Sequence, residues 1–184
     1  FALGAIMMMI ISGWVIRRLT TKRAISCSAW VIALGFLGVP FANDLPFLMF
    51  LSFVTGMAIG LTEVSMNAQA SNLEIIHKRS MMSGFHAFFS LGLLIGAAVT
   101  SIFVELQISF ILNAFIVVII LLPANIFFAK LLREDIKKDN DFDKKNIFFL
   151  WPIILFILVF ITITDSFTEG SVDAWGVLYM QDHV

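Results

Sequence analysis

The sequence predicts an all-α, polytopic membrane protein, and three observations lead there. The first is composition: 60% of the 184 residues are hydrophobic and the mean hydropathy is +0.97, which leaves too little polar surface to cover a water-soluble globule of this size. The second is run length, because apolar stretches recur at the roughly 20 residues needed to cross about 30 Å of hydrocarbon. The third is the placement of charge. All 12 Lys and Arg fall in three clusters, Arg17 to Arg23, Lys78 to Arg79 and Lys130 to Lys145. An even number of expected crossings separates each cluster from the next, so all three would share one face of the bilayer, the cytoplasmic one by the positive-inside rule.

The elements follow in order. Residues 1 to 16 form an apolar run that stops at Arg17 and begins already inside a span, so the chain reads as an excerpt of a longer protein. A second helix is expected from Ala24 to Ala42. The turn Asn43, Asp44, Leu45, Pro46 carries no basic residue and suits an external hairpin. A third helix is expected from Phe47 to Ala70; its second half, within TEVSMNAQASNLE, is too polar to face lipid on all sides. Beyond Lys78 and Arg79 comes a fourth, from Met81 to Val104, closed by an external turn at Glu105 and Gln107. A fifth runs from Ile108 to Leu132, with Pro123 expected to kink it. The hydrophilic stretch 133–146 reads as a cytoplasmic linker. From Ile147 to Met180 the run would measure about 51 Å as one helix, more than a crossing requires, so a break near Glu169 and Gly170 is expected. Trp14, Trp151 and Trp175 fall near expected helix ends, as interfacial aromatic belts do.

Several function classes are excluded or disfavoured. A net charge of −1 with no extended basic patch gives no nucleic-acid footprint. The lone Cys27 allows neither an internal disulfide framework nor a cysteine metal cluster. No phosphate-binding loop of the GxxxxGK[ST] type is present, and no cofactor or metal is expected. Ser90 and His86 lie one turn apart, but no Gly-flanked serine elbow accompanies them, so an intramembrane enzyme is the rival reading. A non-transporting membrane scaffold is the other.

Glu63 is the sharpest single signal, since an ionisable side chain at membrane depth faces a cavity or a partner and marks a solute or proton path; the alternative is a buried, neutral carboxyl hydrogen-bonded to an adjacent helix. Gly56, Gly60, Glu63, Asn67 and Ala70 recur every three or four residues and share one helical stripe. His86 is expected at a depth equal to that of Glu63, which allows a protonatable pair; the alternative is a histidine bonded to a backbone carbonyl or to Ser83 or Ser90. Asp165, Glu169 and Asp173 form a further acidic stripe toward the outer mouth. Gly92 and Gly96 make a small-xxx-small pair for helix packing, as do Gly56 and Gly60. Arg17, Arg18, Lys22 and Arg23 are expected to set orientation and to pair with acidic helix ends or lipid phosphates.

The segment GWVIRRLTTKRAI is similar to the cytoplasmic loop between the second and third helices of major facilitator superfamily transporters, with Gly13, Val15, Arg18, Lys22 and Arg23 on the pattern. Arg17 stands where that family has an acidic residue, and Thr20 where it has a second Gly. GLTEVSMNAQASNLE followed by RSMMSGFHAFFSLGLLIGA resembles helices four and five of the YbjJ-like branch, and TEGSVDAWGVLYMQD resembles the outer part of its helix seven. The resemblance implies helices two to seven of twelve. Residues 1–132 would be the remainder of the N-terminal six-helix bundle, 133–146 the inter-bundle linker, and 147–184 the first helix of the C-terminal bundle. It further implies secondary active transport of a small solute by alternating access in the plasma membrane, with protons as partner. Glu63 and Asn67 also sit as an acid and an amide do in helix four of the fucose:proton symporter group.

Overall fold

The computed structural model describes residues 1–132 and, beyond them, Phe156, Ile157, Phe160, Ile161, Ile163, Thr164, Ser171 and Tyr179. The chain divides into two compact units, Phe1–Lys137 and Lys138–Val184. In the second, the described residues are helical, and the Thr164 hydroxyl donates to the Phe160 carbonyl one turn back at 2.9 Å. The linker at 133–146, Trp151, Trp175 and the acids Asp165, Glu169 and Asp173 lie outside the described residues.

The first unit contains α1 (Ala2–Leu19), α2 (Thr21–Gly38), α3 (Leu45–His77), α4 (Met82–Glu105) and α5 (Phe110–Leu131), with a short 3-10 turn at Val39–Phe41 after α2. All five helices are long and apolar enough to cross a membrane. Local chemistry fixes their ends. Pro40 has no N–H to donate four residues back, and at Gly38 α2 gives way to the 3-10 turn, with Val39 still helical at φ −56° and ψ −47°. Asp44 caps α3 by accepting the Phe47 N–H at 2.7 Å, with Pro in the first turn. Ser109 caps α5 through the Leu112 N–H at 3.3 Å. α5 continues through Pro123 to Leu131.

Several boundaries depart from the expectation. α2 ends at Gly38 rather than Ala42, because Pro40 acts before the apolar run is exhausted, and it starts at Thr21, with Lys22 and Arg23 inside its first turn. α3 continues to His77 rather than stopping at Ala70; loss of hydropathy ends a membrane run, but it does not end a hydrogen-bonded helix. What ends α3 is Lys78, in the left-handed conformation at φ 50° and ψ 37°.

α1 and α3 run parallel and touch backbone to backbone. A Cβ added to Gly60 would lie 2.6 Å from the Ala5 carbonyl oxygen, one on Gly56 would overlap the Phe1 carbonyl, and one on Gly4 would overlap the Phe53 carbonyl. Glycine at these three positions is what permits the approach. α2 lies antiparallel to α3, Thr21 meeting Gln69 and Ser28 meeting Thr62, and both helices bury small side chains, among them Ala24, Ala29 and Ala33 on α2 and Ala58 on α3. α5 is antiparallel to α2: Phe36 and Phe110 meet edge to face at 5.9 Å at one end, and at the other the Lys22 ammonium donates to the Lys130 carbonyl at 2.6 Å and the Leu132 carbonyl at 3.2 Å. This topology brings Arg17, Arg18, Lys22, Arg23, Lys78, Arg79 and Lys130 to one end of the bundle, the basic end.

Candidate functional site

Glu63 and Asn67 lie in the basic-end half of α3, and both side chains are exposed. The stripe to which they belong changes character along its length. Its glycines, Gly56 and Gly60, are buried under α1, while its acid and amide stand open; Ala70, one turn further on, is buried again at 5% exposure. α3 thus uses the small half of the stripe to hold a neighbour and presents the polar half away from it. An exposed carboxylate in an apolar span requires water or a protein partner around it in a bilayer.

His86 is the fifth residue of α4 and is also exposed. The hydrogen bond at this position uses its backbone, whose carbonyl accepts the Ser90 hydroxyl at 3.2 Å. Among the described residues no hydrogen bond joins His86 to Glu63. α4 has no buried residue, and among the described residues no atom outside the adjoining turns of α4 lies within 4 Å of a Cβ placed on Gly92 or Gly96. Among the described residues, groups of His, Cys, Asp or Glu that could hold a metal ion are absent.

The basic loop is organised by contacts of different kinds. Arg18 stacks its guanidinium over the Trp14 ring at 5.2 Å. Lys22 places its charge on the carbonyl-rich end of α5, where the helix dipole favours a cation. A Cβ added to Gly13 would meet nothing within 4 Å among the described residues outside its own helix turn, and Arg17 and Arg23 are exposed.

Two polar features escaped the sequence reading. One is a ladder between α2 and α3. The Gln69 amide donates to the Thr21 hydroxyl, Ser28 and Thr62 share a bond of 2.6 Å, and Gly35 lies against the Thr55 hydroxyl. On α2 the positions 21, 28 and 35 recur every seven residues, and on α3 so do 55, 62 and 69, the spacing that keeps one seam facing a partner helix. A search for polar or small residues at that period, in place of charged ones, would have found it. Ser65, between Thr62 and Gln69 on α3, is fully buried, and its hydroxyl has no hydrogen-bond partner among the described residues. The second feature is Glu74, whose carboxylate accepts the backbone N–H of Met81 at 2.6 Å and of Met82 at 2.8 Å across the loop from α3 to α4.

A cavity of about 490 Å³ opens between α2, α3 and α5, walled by Ile32, Ala33, Leu51, Val118 and Leu122, with Ser52, Thr55 and Asn125 as its polar groups. Ile59 also lines it and lies one helical turn from Glu63.

The family model described as Major Facilitator Superfamily matches residues 1–183. An uncharacterized MFS-type transporter from Yersinia pestis is 30% identical over 156 residues, which cover 78% of this chain and 39% of that relative. The chain therefore spans about two-fifths of the length of the curated relative it matches. No solved structure is significantly similar.

Proposed function

The chain belongs to the Major Facilitator Superfamily, and on that footing we propose that the whole protein is a secondary active transporter that moves a small solute across the plasma membrane by alternating access, driven by protons. Family membership and five membrane-length helices support a multi-pass transporter rather than an enzyme. The proton is the finer part of the proposal, and one observation carries it: Glu63 stands exposed within an apolar span, with the Asn67 amide one turn away. A carboxylate so placed is costly in lipid and is explained by a water-filled path.

In this reading two helical bundles rock about a solute site near the midplane, with residues 133–146 joining them. Glu63 takes up and releases the proton, Asn67 contacts proton or solute, and His86 enters the path once the remaining helices close around α4. Asp165 and Glu169 line the outer approach, and the basic loops face the cytoplasm.

The test is uptake by the full-length protein in proteoliposomes, with and without a pH gradient, using sugars and polyols as the first solutes. Accumulation should depend on the gradient, and Glu63→Gln should lower it at least about tenfold, a factor worth roughly 1.4 kcal/mol in the rate-limiting step. Gradient-driven accumulation that is equal in parent and variant would remove Glu63 from the proton path.

A further inference from the structure

Glu74 lies in the last turn of α3. An acid there opposes the negative pole of its own helix. The opposition is relieved by the neighbouring element, because Lys78 in its left-handed conformation turns the chain and brings the start of α4 back onto Glu74. The two amides that the carboxylate receives belong to Met81, the N-cap residue of α4, and to Met82, its first helical residue. Helix-start amides have no partner inside their own helix, and the Met81 side chain supplies none. The acid of α3 thus completes the positive pole of α4. Lys78, Arg79 and Ser80 border the same shallow hollow.

We propose that Glu74 is a positioning residue, an anionic clamp on the first two amides of α4 that sets the angle of α4 against α3. The consequence for transport rests on the function proposed above; the clamp itself does not. α4 is about 36 Å long at 1.5 Å per residue. A 10° change at its clamped end therefore moves the far end by about 6 Å but moves His86, one turn from the clamp, by only about 1 Å. Glu74 accordingly holds His86 at a fixed depth while leaving the far end of α4 as the part that can travel.

The experiment uses the full-length protein in lipid nanodiscs on a Cys27→Ser background. Amide hydrogen exchange at Met81 and Met82 reports the bonds. The distance between spin labels on Phe50→Cys and Val104→Cys, at the ends of α3 and α4 remote from the clamp, reports the helix angle. Glu74→Ala is expected to speed exchange at both amides at least tenfold and to shift or broaden the distance distribution. Glu74→Gln keeps a carbonyl acceptor, so it should fall between the parent and Glu74→Ala in both readouts, and it serves if the alanine variant does not fold. Unchanged exchange overturns the proposal. Faster exchange with an unchanged distance also overturns it, since Glu74 would then be a local cap without influence on helix angle. Uptake by the same proteins reconstituted in proteoliposomes separates the two ideas: a parent protein that moves no solute counts against the transporter reading and leaves the exchange and distance results standing.

Discussion

At the scale of single residues, the same amino acid does opposite things on different helices. Gly60 and Gly92 are both helical glycines in apolar spans, and their spacing from Gly56 and Gly96 assigns both to packing. A Cβ on Gly60 would lie 2.6 Å from the Ala5 carbonyl, whereas one on Gly92 meets nothing within 4 Å. Forcing a methyl group into a packed contact costs about 1–3 kcal/mol, while replacing an unconstrained helical glycine by alanine gains up to about 1 kcal/mol. Gly60→Ala should therefore lower the thermal midpoint of the full-length protein in detergent by several degrees, and Gly92→Ala should leave it unchanged or raise it. The sequence could not make this distinction, because spacing tells which glycines share a face and says nothing of what stands opposite. An equal loss in both variants would show that α4 is covered along the Gly92 face in the whole protein. Charged residues show a similar limit. Glu63 was legible because it interrupts an apolar run, whereas Glu74 lies among polar neighbours near a helix end and becomes informative only once Met81 and Met82 are seen to fold back onto it.

At the scale of elements, the number of spans in residues 1–132 was legible, and their order too, since each needs a fixed length of apolar sequence. Their ends were less so. Pro40, which lacks an N–H for the α-helical ladder, stands where α2 gives way to a 3-10 turn, but a rule based on hydropathy runs past it to Ala42. The pairing of α2 with α3 was not legible at all, because the ladder is built from Thr, Ser and Gln, which are common enough to pass unnoticed in helices. Its value can be measured. Interhelical hydrogen bonds within membranes average about 0.6 kcal/mol and reach about 1.7, well below a bond left unsatisfied in hydrocarbon. In a double-mutant cycle with Ser28→Ala and Thr62→Val, the coupling energy should fall within about 0.5–1.5 kcal/mol. Both hydroxyls also lie within reach of carbonyls on their own helices, Ser28 of Ile25 at 3.0 Å and Thr62 of Ala58 at 3.0 Å. These keep each single variant from stranding its partner. A coupling near zero would mean that close packing alone, without the hydroxyl pair, holds the two helices together.

At the scale of the whole molecule, the placement of every loop depends on which way the bundle faces. The structure gathers Arg17, Arg18, Lys22, Arg23, Lys78, Arg79 and Lys130 at one end, through the parallel run of α1 with α3 and the bond from Lys22 to the end of α5. The opposite end carries the turns at Asn43 and at Gln107, with acids but no Lys or Arg. Orientation follows the basic residues, since translocating them is what the membrane resists, and acidic residues weigh little. With Cys27 replaced by Ser in the full-length protein, a membrane-impermeant maleimide applied to intact cells should label Asn43→Cys and Gln107→Cys. It should reach Ser80→Cys only after the membrane is opened. The three positions constrain one another because they close three different loops, and the helices between them are too long and apolar to leave the bilayer singly. Labelling of Ser80→Cys from outside would reverse the bundle and place Lys22 and the start of the 133–146 segment on the external side. Labelling of Asn43→Cys and Gln107→Cys from opposite sides would break the alternation of α3 and α4, on which the placement of Glu63 and His86 in one path depends.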